Sequence, residues 1–378
     1  MQSAKKPITV HFLCQELTEE RKQADSHKLP LKYELELLEG YKLLEQYVKN
    51  CGYETCINFL SLDNMAEKLT QLKLNNDINS MIFFNLCEGT DDGEGGDGYP
   101  GISLVRLLQE MGLNYTGSNE YFYNCSTSKV LIKEALLTNG VATSAYVEIN
   151  KSTIDQDVRK AVEQVGFPLF VKLSCSQASI GISRKSICRT FEEAVLQCQE
   201  IFKLDVSKAG VFIESFLPGR EFTVLIAGDK QRGTKIYLPA ERVFNESLEN
   251  DQKILDFDSY WIGYGIHENE KIPEEKDCLY KYCAAPEEAV DMLKNLARDA
   301  YLAMGGTGYG RADIRTNLRD LKDPNCKAFI LEVNAQPGFS FDPLTTSMGA
   351  ILALEKIEPF EFIQTVIEYA NGPSSQTL

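Results

Sequence analysis

The sequence predicts an α/β block with an open parallel sheet, followed by two α+β blocks. Over the first third of the chain, buried-strand patterns alternate with helical ones, which is typical of parallel strands joined by crossover helices. From residue 210 onward, strand patterns follow one another closely, which is typical of antiparallel pairing. Helices and strands mix over the stretch between. We therefore expect three domains, at residues 1–117, 118–207 and 208–378.

Composition and charge limit the partners of the chain. It has 378 residues, 43% hydrophobic and 25% charged, which is ordinary for a globular protein that buries two or three cores. The net charge of −16 opposes non-specific binding to nucleic acid or to an anionic membrane. No apolar run approaches the roughly eighteen residues of a membrane span. We predict small-molecule partners, without nucleic acid or membrane.

The cysteines and histidines argue against disulfide and zinc chemistry. Eleven cysteines occur with no C-x-x-C pair, an odd and scattered set that is typical of reduced thiols. The three histidines lie far apart, so a zinc site or a Ser-His-Asp triad has little support. The N-terminus shows no signal-peptide core. These features favour a cytoplasmic protein.

In the first block, a long acidic and glycine-rich loop follows the third strand. It opens at Glu88 and runs to Gly101. Ligands of open α/β sheets bind beyond the carboxyl ends of the strands. The loop is therefore either a substrate contact or a solvated connection. The predicted elements of this block are strands at 8–14, 53–60 and 81–86 and helices at 31–50, 62–73 and 102–111.

The middle block contains two lysines in unusual places. We predict Thr127 as the N-cap of a helix, so that Lys129 lies in the first turn, where a cation opposes the helix dipole. Lys172 ends an apolar strand, so its ammonium has to reach water or an anion. A run of small and hydroxyl residues then extends to Gly181 and suits either a phosphate-covering loop or a plain turn. The predicted elements are helices at 127–138, 154–165 and 190–203 and strands at 143–149 and 167–173.

The last block is predicted to be mostly antiparallel. A turn at Pro218-Gly219 joins the first two strands as a hairpin. Pro286 and Pro359 each begin an amphipathic helix. Residues 245–285 are predicted to be irregular. The predicted strands lie at 211–217, 220–228, 235–243, 308–315 and 329–334.

The last two of these strands bring four polar side chains to one face. Residues i and i+2 of a strand share a face, so Arg311 lies beside Asp313, and Glu332 beside Asn334. A polar connection between the strands favours a hairpin. Carboxylate and amide oxygens suit magnesium, and an arginine suits phosphate. The alternative is a solvated sheet face.

Five short motifs occur at separations that fit a known family. In order they resemble an ATP-grasp ligase, and more narrowly the D-alanine–D-alanine ligase branch. The likeness is close over residues 85–330 and follows the order of elements elsewhere. It implies an ATP-grasp fold in which the two α+β domains clasp ATP. The motifs are Thr127-Ser-Lys129, Val171-Lys172 with Ala178-Ser-Ile-Gly181, Ile213-Glu214 with Glu221-Phe-Thr223, Gly310-Arg311-Ala-Asp313, and Leu331-Glu332-Val-Asn334 with Pro337-Gly338.

The resemblance implies a role for each motif. Lys129 and Lys172 would contact the ATP phosphates, and Glu221 would hold the ribose. Arg311 would stabilise the transferring phosphoryl group. The loop over the phosphates would include Ser179 and Gly181. The hinge that reads adenine would comprise Glu214, Ser215, Phe216 and Leu217, and two Mg²⁺ ions, or Mn²⁺ in their place, would bind Asp313, Glu332 and Asn334.

The chain departs from the family pattern around the substrates. Glu88 stands where the family has a histidine, and Tyr260-Trp261 where it has a lysine followed by a tyrosine. Pro343 occupies the place of a serine that helps to hold the acceptor carboxylate. We therefore predict a changed substrate pocket at Glu88, Gly338 and Asp342, in which an acidic side chain pairs with an amine or guanidinium.

Three functions remain open. The first is an ATP-dependent carboxylate–amine ligase that joins two amino-acid-like molecules through an acylphosphate and releases ADP and phosphate. The second is a ligase of D-alanine with D-alanine or a hydroxy acid. The third is a nucleotide-binding regulatory module without turnover. The resemblance also implies a homodimer formed through the first domain.

Overall fold

In the computed structural model, the described residues form three β-sheets with their helices. The motif residues Ala178 and Ser179, the pair Tyr260-Trp261 and residues 90–98 of the acidic loop lie outside the described residues. The structure describes residues 8–16, 31–89, 99–175, 180–204, 210–249, 253–255, 279–344 and 346–372, with the backbone alone for 31–37.

The N-terminal sheet has three parallel strands in the order β2-β1-β3, which confirms the predicted open parallel sheet. Its strands are rich in apolar residues, and β3 is buried throughout, as expected of a parallel sheet with helices on its faces. The elements are β1 (Thr9–Gln15), α1 (Leu31–Asn50), β2 (Glu54–Leu60), α2 (Met65–Asn75), β3 (Met81–Asn85) and α3 (Gly101–Glu110).

The central sheet has four strands in the order β4-β7-β5-β6, all antiparallel. Two helices pack on it and bury a core of aliphatic residues. The helix α7 opens with the predicted capping box of Thr190 and Glu193. The elements are α4 (Glu120–Ser126), α5 (Lys129–Thr138), β4 (Tyr146–Ile149), α6 (Ile154–Val165), β5 (Leu169–Leu173), β6 (Ile187–Cys188), α7 (Phe191–Ile201) and β7 (Val211–Ser215).

The C-terminal sheet has six strands, in the order β11-β10-β8-β12-β13 with β9 paired to β8. The helix α8 covers its apolar face, while the other face carries the predicted polar side chains. Two further helices follow the sheet. The elements are β8 (Glu221–Asp229), β9 (Gly233–Ile236), β10 (Ala240–Phe244), β11 (Tyr280–Ala284), α8 (Glu287–Ala303), β12 (Tyr309–Thr316), β13 (Ala328–Ala335), α9 (Ser347–Glu355) and α10 (Pro359–Glu368).

The predicted hairpin at Pro218-Gly219 is wrong. The strand before this turn, β7, pairs with β4 and β5, whereas β8 pairs with β9, β10 and β12. The two strands belong to different sheets. Each pairs with strands from elsewhere in the chain in preference to the strand that adjoins it across the turn. The strand β7 therefore belongs to the central sheet, although it follows the boundary predicted after residue 207.

Smaller corrections concern caps and short elements. Ser128, not Thr127, caps α5 by accepting from the Leu131 N–H. Thr127 instead follows α4, a helix that the sequence analysis missed. The strand predicted at 235–243 is two strands, β9 and β10. The strand β11 and the helix α9 were also missed, the first within a region predicted to be irregular.

A backbone bridge and a shared hydrophobic core connect the sheets to one another. A parallel bridge joins Thr143 to Ile330 of β13 and so ties the central region to the C-terminal sheet. The last helix, α10, packs with the N-terminal sheet in one core that includes Phe12, Phe84 and Phe362. Among the helices that the structure describes, none is long and apolar enough to cross a membrane.

Candidate active site

The polar face of the C-terminal sheet is the centre of the site. In the ladder between β12 and β13, Asp313 is paired with Glu332, and Arg311 with Asn334. Opposed residues of antiparallel strands project to the same side. The four side chains that the sequence placed on one face therefore lie together. A register shift follows Asp313, and such bulges are common beside active sites.

Arg311 forms a two-pronged ion pair with Asp313. Its Nε donates to Oδ1 at 3.1 Å and its Nη2 to Oδ2 at 2.8 Å, while Nη1 donates to Oγ of Ser347 at 3.3 Å. Burial would lower the pKa of the guanidinium, but Asp313 and Glu332 hold this pKa above its ordinary value. A cation fixed in this way suits the oxygens of a phosphoryl group.

Three oxygen-bearing side chains form the candidate metal site. Nδ2 of Asn334 lies 3.3 Å from Oδ2 of Asp313 and 3.4 Å from Oε1 of Glu332. Within the described residues, no three His, Cys, Asp or Glu side chains cluster as a metal cage. Two carboxylates and one amide fit magnesium, which commonly completes its shell with water and substrate phosphates.

The two carboxylates differ in their titration. Burial raises the pKa of Asp313, against the opposing charge of Arg311. Burial would also raise the pKa of Glu332, but Lys129 and Arg311 lower it to about 2. Glu332 is therefore anionic at neutral pH, and a bound cation would favour the anionic form of Asp313 as well.

Lys129 reaches this site from the central region. Its Nζ lies 3.7 Å from Oε2 of Glu332. The start of α5 is held in place because the Lys129 N–H donates to the Ser174 carbonyl at 2.8 Å, and the hydroxyls of Ser128 and Ser174 are 2.8 Å apart. Lys129 is therefore oriented at the end of β5, which also carries Lys172.

Glu214 and Lys172 form a buried ion pair. The distance from Nζ of Lys172 to Oε1 of Glu214 is 2.6 Å, and Oε2 of Glu214 lies 2.7 Å from Nζ of Lys133. Ser144 donates to the same carboxylate at 2.6 Å. Both oxygens of the Glu214 carboxylate therefore already have partners inside the protein. Adenine recognition by this segment would then fall to Ser215, Phe216 and Leu217.

Glu221 is also engaged by basic side chains. Arg242 of β10 and Arg315 of β12 both pair with its carboxylate, the second at 3.2 Å. Arg315 further donates to the Lys253 carbonyl at 2.7 Å, and its guanidinium lies 5.7 Å from the Phe216 ring centroid. A ribose at this position would therefore meet a carboxylate already oriented by two arginines.

The segment after β13 is anchored to the N-terminal sheet. Gln336 adopts a left-handed backbone with φ of 52°, and its Nε2 donates to the Asn85 carbonyl at 3.0 Å. A Cβ built on Gly338 would lie 3.6 Å from Oε1 of Glu88. The carboxylate of Asp342 accepts from the Leu344 N–H at 2.9 Å. Glu88 and Gly338 are therefore neighbours, as a shared substrate pocket requires.

One part of the predicted phosphate loop is described. Gly181 has φ of 78°, and a Cβ there would lie 3.0 Å from a Leu173 methyl carbon. The left-handed backbone and the close approach both favour glycine at this position.

Several residues around the site were missed by the sequence analysis. Arg315 follows Asp313 by two positions on the same strand face, and Lys133 follows Lys129 by one helical turn. Both spacings were visible in the sequence. The contacts of Arg242, Ser347 and Gln336 depend on distant segments, so no local pattern indicated them.

Together, the fold and the site define an ATP-grasp ligase, an enzyme that joins a carboxylate to an amine. A sequence profile described as "D-ala D-ala ligase C-terminus" matches residues 136–356, more than half of the chain. The chain belongs to this family of ligases. Membership implies ATP, a divalent cation and small-molecule substrates, and it confirms the resemblance found in the motifs.

Relatives and solved structures agree with this assignment. The D-alanine–D-alanine ligase B of Xanthomonas campestris is 28% identical over 264 residues, 70% of this chain and 72% of that protein. The D-alanine–D-alanine ligase of Xylella fastidiosa is 28% identical over 262 residues, 69% of this chain and 75% of that protein.

The likeness to solved structures covers nearly the whole chain. The crystal structure of D-alanine–D-alanine ligase from Bacillus anthracis superimposes with a TM-score of 0.65 at 17% identity, covering 96% of this chain and 97% of that one. That of VanG D-Ala:D-Ser ligase from Enterococcus faecalis gives 0.63 at 12% identity, covering 96% and 99%. These matches confirm the predicted ATP-grasp fold.

Proposed function

We propose that this ligase joins two amino-acid-like substrates by an amide bond. The observation that carries the proposal is the register that places Arg311, Asp313, Glu332 and Asn334 on one sheet face. The substrate carboxylate attacks the γ-phosphorus of ATP, which gives an acylphosphate and ADP. The amine of the second substrate then attacks the acyl carbon, and phosphate leaves.

The side chains of the polar face serve this reaction by charge and position. Asp313, Glu332 and Asn334 would hold the divalent cation, which supplies charge neutralisation on the phosphate oxygens. We propose two ions, Mg²⁺ or Mn²⁺. Arg311 orients the phosphoryl oxygens, and Lys129 lies across from Glu332 to contact the phosphates.

The nucleotide would lie between the central and C-terminal sheets. Lys172 would contact the phosphates, residues 215–217 would read adenine, and Glu221 would hold the ribose. The segment containing Ser179 and Gly181 would cover the phosphates, because an acylphosphate has to be kept from water.

Substrate selection would depend on the pocket around Glu88, Gly338 and Asp342. We propose that the carboxylate of Glu88 pairs with a cationic group of one substrate, since Glu88 lies beside Gly338 after the metal-binding strand. A Glu88→Gln variant is expected to change the ranking of amino acids as substrates. An unchanged ranking with unchanged KM values would contradict this assignment.

A second candidate is a ligase whose substrates are both D-alanine, or D-alanine and a hydroxy acid. The relatives favour it, because they are D-alanine–D-alanine ligases. Pro343 at the position of the acceptor-binding serine, and Glu88 in place of histidine, argue for a different pair of substrates.

Release of ADP and phosphate distinguishes these functions. The chain would be incubated with ATP, Mg²⁺ and either D-alanine alone or mixtures of D- and L-amino acids. We expect stimulation by a mixture that exceeds stimulation by D-alanine. Maximal release with D-alanine alone would support the second candidate. AMP as the product would exclude the acylphosphate route, and no stimulation by any mixture would favour a regulatory module.

The assembly and location of the enzyme are further proposals. We propose a cytoplasmic homodimer formed through the N-terminal domain, without a nucleic acid partner. The net charge of −16 supports the last point. Light scattering at several concentrations would test the dimer, and a monomeric mass throughout would contradict it.

A further inference from the structure

Lys133 is a fully buried lysine behind the proposed nucleotide site. Its side chain is 0% exposed. The ammonium donates to Oγ1 of Thr143 at 3.0 Å and to Oγ of Ser144 at 2.8 Å, and it lies 2.7 Å from Oε2 of Glu214. A charge with no exposure requires a specific partner, because burial without one is very costly.

Glu214 is the anion shared by two lysines. Its Oε2 faces Lys133, and its Oε1 faces Lys172 at 2.6 Å. The group of three carries two positive charges and one negative charge, so its net charge is one positive. Lys133 has no exposed surface, whereas the side chain of Lys172 retains 10%. The surplus charge can therefore meet a ligand only through Lys172.

The same group is connected to the metal-binding strand. Oγ1 of Thr143 accepts from Lys133 and donates to the Ile330 carbonyl at 2.9 Å. Ile330 lies on β13, two residues before Glu332. The hydrogen bonds of Lys133 thus hold the central sheet at a defined place against the strand that carries a proposed metal ligand.

We propose that Lys133 is a positioning residue that neutralises Glu214 and thereby keeps the charge of Lys172 available to the phosphates of ATP. Without Lys133, Glu214 and Lys172 form a one-to-one ion pair with no net charge. This inference rests on the proposed contact between Lys172 and the phosphates. It assigns no contact with substrate to Lys133 itself.

The proposal makes a prediction that a purely structural role does not make. Removing one unit of positive charge from the binding site weakens the binding of a ligand in proportion to the negative charge that the ligand carries. A lysine that only shapes the hinge would, when replaced, weaken adenosine and ATP alike. The ratio of the two affinities therefore separates the two roles.

The experiment measures dissociation constants for ATP, ADP and adenosine with Mg²⁺ by titration calorimetry, with competition for the weakest ligand. In Lys133→Met we expect the Kd of ATP to rise about tenfold or more and that of adenosine less than about twofold. Lys160→Met, which removes an exposed lysine of α6, is the charge-matched control and should bind as the wild type does.

A double variant tests the charge balance directly. Lys133→Met with Glu214→Gln leaves Lys172 as an unneutralised cation, so the Kd of ATP should return to within about threefold of the wild-type value. In this variant Lys172 is the one unneutralised charge of the group, with 10% of its side chain exposed, and the charge balance is tested even where Lys133→Met fails to fold. Equal losses for adenosine and ATP, or no recovery in the double variant, would overturn the proposal.

Lys172→Met separates this inference from the function on which it rests. If Lys172→Met binds ATP as the wild type does, the proposed phosphate contact itself fails. If Lys172→Met loses affinity while folded Lys133→Met does not, only the role of Lys133 fails.

Discussion

Asp313 and Glu332 face each other across one ladder, and the pKa values of their carboxyls are shifted in opposite directions, upward for Asp313 and downward for Glu332. Arg311 holds Asp313 in a two-pronged ion pair, while Lys129 and Arg311 lower the pKa of Glu332 to about 2. Such pairs of carboxylates accept a divalent cation because its charge offsets their repulsion.

Neutralising either carboxylate should abolish turnover. We expect Asp313→Asn and Glu332→Gln to reduce kcat at least about a thousandfold, since each removes the charge of a proposed metal ligand. Release of ADP measures turnover, and far-ultraviolet circular dichroism should show an unchanged fold. Activity within about tenfold of the wild type in both variants would contradict the metal assignment.

The acid stability of the protein should depend on Glu214. Burial would raise the pKa of this carboxyl, but Lys133 and Lys172 hold it well below its ordinary value of 4.5. Such a group stabilises the fold fully above about pH 4.5, and this contribution is lost as the pH falls further. Denaturant unfolding between pH 5 and 3 measures the slope of the unfolding free energy.

In Lys133→Met with Glu214→Gln this slope should be smaller than in the wild type by up to about 1.4 kcal/mol per pH unit. Glu163→Gln, on the exposed side of α6, is a control that should keep the wild-type slope. Identical slopes in the wild type and the double variant would show that Glu214 is protonated to the same extent in the folded and the unfolded protein, which would contradict the prediction.

The strand β12 is placed by close backbone packing at its start. Gly308 precedes it with φ of 70°, and a Cβ there would lie 1.8 Å from the Gly117 carbonyl oxygen. The N–H of Gly228 donates to the Gly308 carbonyl at 2.8 Å. This turn therefore sets the position at which β12 enters between β8 and β13, and with it the place of Arg311 and Asp313.

Gly308→Ala should destabilise the protein much more than Gly140→Ala. Both glycines have φ near 70°, but a Cβ at Gly140 meets nothing within 4 Å. The positive φ costs about 1 kcal/mol in each variant, and the overlap adds several kcal/mol only at Gly308. Thermal unfolding measures both. Equal losses of stability in the two variants would contradict this prediction, because they would show that the backbone around Gly308 moves to accept the Cβ at no cost in free energy.

At the scale of the molecule, a shared core and a backbone bridge connect the three sheets of the described residues. The N-terminal sheet shares one core with α10, which comes from the end of the chain. The segment before β4 meets β13 through Thr143. ATP between the central and C-terminal sheets would add contacts to both and should therefore strengthen their association.

Nucleotide and metal together should raise the thermal midpoint. At a concentration about a hundred times the Kd, a non-hydrolysable ATP analogue with Mg²⁺ adds about 2.7 kcal/mol, which corresponds to a shift of about 3 °C for a chain of 378 residues. Excess EDTA should remove most of this shift, because the proposed cation would offset the charge of both the phosphates and the carboxylates. Asp313→Asn should show little dependence on EDTA. An EDTA-independent shift in the wild type would contradict a shared metal.

The amino-acid sequence determined the alternation of elements, the shared face of Arg311 and Asp313, and the five motifs in order. These are local or periodic properties, since a strand presents residues i and i+2 on one side whatever it pairs with. The separation of β7 from β8 into different sheets, and the burial of Glu214 between two lysines, were decided only by the tertiary structure. Strand pairing and buried ion pairs depend on residues far apart in the chain. The pattern of one segment therefore does not show which distant partner it will take.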